Sequence, residues 1–174
     1  MIILLICINY HNFFLEFQTW IGYSDVKSFP TYFFVQKNTS FNRTKIPIPF
    51  EIEQLNIGGA MDLPSGKFTA PRMGTYFFSF TGVANFPATF TTSRVALSIG
   101  LYLKGKRIAL GYVEKVNTDV QFSPVTLQST LNLQKGDQIW LQITAMSAGV
   151  YLFDSNYYYT HFTGWLLEEE IFSQ

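Results

Sequence analysis

The chain has 174 residues, with 12 Lys+Arg against 12 Asp+Glu and a formal net charge of zero. That balance leaves no basic footprint for a phosphate backbone, which argues against nucleic-acid binding. Apolar residues make up 48% and aromatics 18%, while charged residues make up only 14%, well below the roughly 25% of ordinary soluble chains, so part of the surface is expected to be covered in an oligomer.

The N-terminal run "MIILLICI" is eight residues long, too short for the roughly 20 that span a bilayer, so stable membrane insertion is not expected. It reads either as the apolar part of a secretory signal or as a buried N-terminus. No Lys or Arg precedes it, and no small-x-small cleavage site follows in "NYHNFFLEFQTW". Residues 1–25 are therefore set apart from a single domain expected over 26–170, with 171–174 as a tail. Cys7 is the only cysteine, which excludes an intrachain disulfide and a cysteine metal cluster.

From about residue 30 onward, short alternating segments separated by turn residues predict an all-β fold. "TYFFVQ" opens the series. Two sequons follow in a polar stretch, Asn38-Thr39-Ser40 and Asn42-Arg43-Thr44, and each is a glycosylation acceptor if the chain is secreted. "KIPIPFEI", "QLNIGG" and "GKFTAP" read as shorter strands, the proline-flanked ones suited to edges or corners. After Gly74, Tyr76, Phe78 and Phe80 alternate with Thr75, Phe77 and Ser79, the two-residue period of a packed core strand.

"RVALSIGLYLK" places Val95, Leu97, Ile99, Leu101 and Leu103 on one face. "KGKR" then turns the chain, and Ile108, Leu110 and Tyr112 return as the partner strand of a hairpin. "TLQSTLNL" and "QIWLQITA", joined by "QKGD", predict a second hairpin. "THFTGWLL" ends the series ahead of Glu168 to Glu170. Eight to ten short strands in this length predict a two-layer β-sandwich, with a jelly roll among the few topologies that fit.

The spacing of the central aromatics resembles the signature of the complement C1q globular-head family, in the C1q/tumour necrosis factor superfamily. Phe50 is followed six positions on by Asn56, then by Phe68, and then by Gly74, Tyr76, Phe78 and Phe80. Met61 stands where the family has an aromatic or Leu, a departure that a flexible side chain absorbs. "NIGGAM", "VALSIGLYLKGKRI", "GDQIWLQI" and "FTGWLL" are similar to other family segments, so the resemblance covers about residues 30–168. It implies a ten-stranded jelly roll, a compact homotrimer, secretion, and a recognition head for protein, glycan or microbial-surface ligands. A trimeric cytokine-like or organiser-like ligand for a cell-surface receptor is the alternative. No collagen-like Gly-x-y tract is present, so recruitment of complement proteases is not implied.

Chemistry-bearing patterns are sparse. His11 and His161 are the only histidines, with no metal-ligand spacing and no Gly-x-Ser-x-Gly elbow, so no enzyme is expected. The signature aromatics read as core. Family heads that bind calcium do so near the apex of the trimer, and the corresponding stretch here offers Glu114, Asp119 and Gln121, with Asp119 and Gln121 the candidate ligands. Calcium takes six to eight oxygens, which carboxylates pooled at a threefold axis would supply; an ordinary solvated loop is the other reading. Ligand contacts are expected from two long loops, 85–93 with Thr91 and Thr92, and 114–124, which are either binding surfaces or loops pinned by Phe90 and Phe122.

Overall fold

The computed structural model describes residues 30–88, 93–116 and 119–170. Within them run twelve strands and no helix: β1 (Tyr32–Gln36), β2 (Thr39–Phe41), β3 (Ile52–Ile57), β4 (Met61–Asp62), β5 (Lys67–Thr69), β6 (Gly74–Phe86), β7 (Arg94–Leu103), β8 (Lys106–Val116), β9 (Gln121–Leu133), β10 (Gln138–Met146), β11 (Tyr151–Ser155) and β12 (His161–Glu169). Residues 1–25, Phe90, Thr91, Thr92 and the 171–174 tail lie outside the described residues.

The strands form two antiparallel sheets. One has five strands in the order β4-β5-β10-β7-β8. The other has seven and is organised by β6, whose 13 residues pair along their whole length with β9. On its other side β6 pairs with β12 from Gly74 to Thr81 and with β11 from Val83 to Asn85. Thus β11 and β12 run in line along β6, and residues 156–160 leave the sheet between them. Next come β1, paired with β12, and β3, paired with β1. This is the expected jelly-roll sandwich, with two more strands than the upper expectation because short edge segments count separately.

A single core fills the space between the sheets. Tyr76, Phe78 and Phe80 are fully buried, as the alternation requires. Phe68 from the facing sheet lies 5.6 Å from Tyr76, 5.3 Å from Phe78 and 5.4 Å from Phe33, mostly edge to face, the geometry that aromatic quadrupoles favour. Gly164 on β12 admits this packing: a Cβ there would meet Phe78 Cδ1 at 2.6 Å and Phe33 Cε1 at 2.7 Å.

Several expectations need correction. The first hairpin forms, Arg94 pairing with Val116 and Leu103 with Lys106, but the second does not. β9 joins β6 in one sheet while β10 joins β5 and β7 in the other, so Gly136 and Asp137 turn the chain between layers. Alternation reveals a buried face without revealing which strand lies alongside. Leu110 and Tyr112 do not face the core: a register shift beside Leu101 turns them outward, leaving them 46% and 56% exposed, while Ile108 stays half-buried against the core. "KIPIPFEI" and "QLNIGG" are not two strands. The prolines deny ladder donors, so this stretch makes only isolated bridges to β10, and β3 starts at Ile52. The 114–124 loop is mostly strand, since β8 runs to Val116 and β9 starts at Gln121. Glu168 and Glu169 belong to β12.

Candidate functional site

The signature residues build the frame. Phe50, Phe68, Tyr76, Phe78 and Phe80 are at most 3% exposed. Asn56 works by hydrogen bonding: its Nδ2 donates to the Met61 carbonyl at 2.8 Å and to Glu53 Oε2 at 3.0 Å, and its Oδ1 accepts from the Met61 N–H at 3.1 Å. An amide with both donor and acceptor closes the Gly58-Gly59 turn from both sides. Gly74 lets β6 approach β12, because a Cβ would stand 2.2 Å from the Glu168 carbonyl oxygen. The Tyr76 hydroxyl donates to the Arg72 carbonyl at 2.9 Å, and burial pushes its pKa above the ordinary tyrosine value.

What these residues leave open is the outer face of the seven-stranded sheet. Its outward positions on β6 (Phe77, Ser79, Thr81, Val83, Asn85) and β9 (Phe122, Pro124, Thr126, Gln128, Thr130) hold no charged residue. At one end, Phe77 and Trp165 lie 4.6 Å apart. There Tyr32, Leu55 and Trp165 rim a hollow of about 340 Å³ and are 38%, 46% and 38% exposed. At the other end, Val83, Phe122, Pro124, Phe153, Tyr157 and Tyr159 surround a hollow of about 520 Å³. Hydroxyl and amide residues separate the two. The low charge of the chain is thus concentrated on one face.

A buried carboxylate shapes the second hollow. Asp154 accepts from the backbone N–H groups of Ser155 (2.9 Å), Tyr158 (3.0 Å) and Thr160 (2.9 Å). This closes the 156–160 excursion and holds Asn156 and Tyr158 at φ 58, a conformation uncommon for non-glycine residues. Tyr157 and Tyr159 stack at 5.3 Å above Phe153. Sequence reasoning missed this cluster, although "DSNYYYT" carries the signal of an Asp followed by a polar turn.

The candidate ligands Asp119 and Gln121 are exposed, one in the connection before β9 and the other at its first residue. Glu114 is engaged by Arg94 at 2.6 Å and by the Tyr112 hydroxyl at 2.6 Å. Among the described residues no group of three or more His, Cys, Asp or Glu gathers for a metal. The described residues of one chain supply too few oxygens for calcium, and they fit that ion only if several copies pool them. Of the sequons, Asn42 is exposed beyond β2, whereas Asn38 is half-buried, its backbone tied to Glu51 and Asn156. His161 packs edge-on against Phe34 at 5.8 Å. No helix among the described residues is long and apolar enough to cross a membrane.

Comparison with known proteins agrees with this frame. The chain is 30% identical over 136 residues to complement C1q tumor necrosis factor-related protein 2 of Mus musculus, covering 78% of this chain and 42% of that one. It spans less than half the length of the C1q tumor necrosis factor-related proteins it matches. The globular domain of zebrafish complement 1qA superposes with a TM-score of 0.57 at 21% identity, covering 80% of this chain and 99% of that one. The Eiger TNF of S. frugiperda superposes with a TM-score of 0.63 at 10% identity, covering 84% and 98%. Residues 32–167 match the C1q domain, and the chain belongs to the C1q domain family.

Proposed function

We propose that this chain is a non-catalytic recognition domain that acts outside the cell as a homotrimer and binds a protein, glycan or microbial-surface ligand. The observation that carries the assembly is the aromatic outer face of the seven-stranded sheet, uncharged along its central strands β6 and β9. Monomers rarely leave a large apolar patch in water. Closing three such faces around an axis would bury roughly 2,000 Å² or more, the scale of an obligate interface. Membership of the C1q domain family supports the same arrangement.

Recognition in this reading falls to groups at the rim. Asp119 and Gln121 are exposed beside the β8–β9 connection, and three copies would give a repetitive surface a high effective concentration of weak sites. Calcium pooled between copies through Asp119 and Gln121 belongs to the same reading, as does a glycan at Asn42 or Asn38. The test is a glycan-array and microbial-surface binding screen with the purified protein and an Asp119→Ala/Gln121→Ala variant. The reading expects binding that the variant weakens without a change in mass or melting temperature. Nanomolar binding to one host receptor, with no glycan or surface binding, would replace it with a receptor-clustering ligand.

A further inference from the structure

On the five-stranded sheet, far from the uncharged face, four side chains stand in one row across four adjacent strands. Lys67 on β5 is opposite Trp140 on β10, Trp140 is opposite Tyr102 on β7, and Tyr102 is opposite Arg107 on β8. The two rings stack at 5.7 Å and 12°, and Lys67 Nζ lies 5.2 Å from the Trp140 centroid. Gly100 makes room for the far end: a Cβ there would meet Tyr102 Cε2 at 2.8 Å and Arg107 Cδ at 3.1 Å. Three interstrand steps separate the backbones of Lys67 and Arg107 by roughly 14 Å.

The cations lack carboxylate partners, while the nearby carboxylates are engaged. Asp62, opposite Lys67 on β4, accepts from the Ser65 N–H at 3.1 Å. Glu114 binds Arg94, and Asp137 binds Lys104 at 2.8 Å. Neither Lys67 nor Arg107 forms an ion pair among the described residues, and Arg107 is exposed.

We propose that the Lys67-Trp140-Tyr102-Arg107 row is a binding site for a sulfated polysaccharide. Charge complementarity selects a polyanion, and the row selects its shape. Two cations in line on an open sheet, one on each side of a pair of stacked rings, suit a linear polymer that repeats its anionic groups, and the rings between them give apolar contact to sugar C–H groups. The indole holds Lys67 over its face, so less side-chain freedom is lost there on binding. The site stands on the geometry of one chain and does not depend on trimer formation.

The test measures binding of the intact protein to immobilised heparin at increasing salt, with polyglutamate and phosphatidylserine vesicles as competing anions. Wild type is expected to bind heparin in preference to both. Lys67→Gln/Arg107→Gln is expected to lose affinity by about tenfold and to show a shallower salt dependence. Each single variant should fall between the two, and Lys115→Gln, which makes the same charge change on the inward side of β8, should bind as wild type does. Wild type that fails to bind heparin, an equal loss in Lys115→Gln, or single and double variants that bind unchanged would each overturn the proposal. So would tighter binding to polyglutamate or to the vesicles, which would assign the row to an acidic protein or to a lipid surface.

Discussion

Phe77 on β6 and Trp165 on β12 lie directly opposite one another, ring centroids 4.6 Å apart, on the outward side of the seven-stranded sheet. Trp165 remains 38% exposed. This tilted aromatic pair lies on the side of the sheet away from the core, and a second and third copy are the partners proposed for it. Trp165→Glu is therefore expected to give a folded monomer, because it places a charge where three faces would meet. Sedimentation together with circular dichroism checks this: the mass should fall while the β-sheet spectrum is kept.

Tyr76 tests the frame. Tyr76→Ala is expected to destabilise the fold by about 3–5 kcal/mol, since removing a fully buried ring leaves a cavity as well as losing the transfer energy. Tyr76→Phe removes only the hydroxyl bond to Arg72 and should cost about 1 kcal/mol. Denaturant midpoints at neutral pH give both values.

The same hydroxyl has a pH signature. Its pKa in the folded state is raised above 10.0 by burial, so the folded chain keeps a proton that the unfolded chain releases. This contribution is whole below about pH 10 and is lost as pH rises through the folded value. Wild type should accordingly lose stability at alkaline pH more steeply than Tyr76→Phe. Parallel profiles would show that Tyr76 does not carry the linkage.

Asp154 tests the tyrosine loop. Asp154→Ala strands three backbone N–H groups that the carboxylate now accepts, and a loss of about 3 kcal/mol is expected. Amide exchange across residues 155–160 should rise first. Uniform exchange throughout the chain would mean that the carboxylate holds the whole sheet rather than the excursion between β11 and β12.

How far the sequence disclosed all this depends on the range of each interaction. Tyr76, Phe78 and Phe80 are legible because burial on a strand repeats every second residue, and the hairpin at Gly105 is legible because a two-sided alternation meets a tight turn. The partner of β9 is not legible. Leu127 and Leu133 face the core whichever strand lies beside them, and the choice of β6 is fixed by sandwich closure. Ile108, Leu110 and Tyr112 look like one core face, yet one register shift turns Leu110 and Tyr112 outward and leaves only Ile108 against the core. The Lys67-to-Arg107 row depends on pairing between strands far apart in the chain, so no local pattern announces it, whereas the contacts of Asp154 fall within six residues and the polar turn after it is their local trace.

The central claim is that the aromatic outer face of the seven-stranded sheet closes in a trimer. The most direct measurement is the solution mass of the purified protein by light scattering at micromolar concentration. The account predicts three times the mass of one chain, falling to a single chain with Trp165→Glu. A monodisperse wild-type monomer under the same conditions would contradict it.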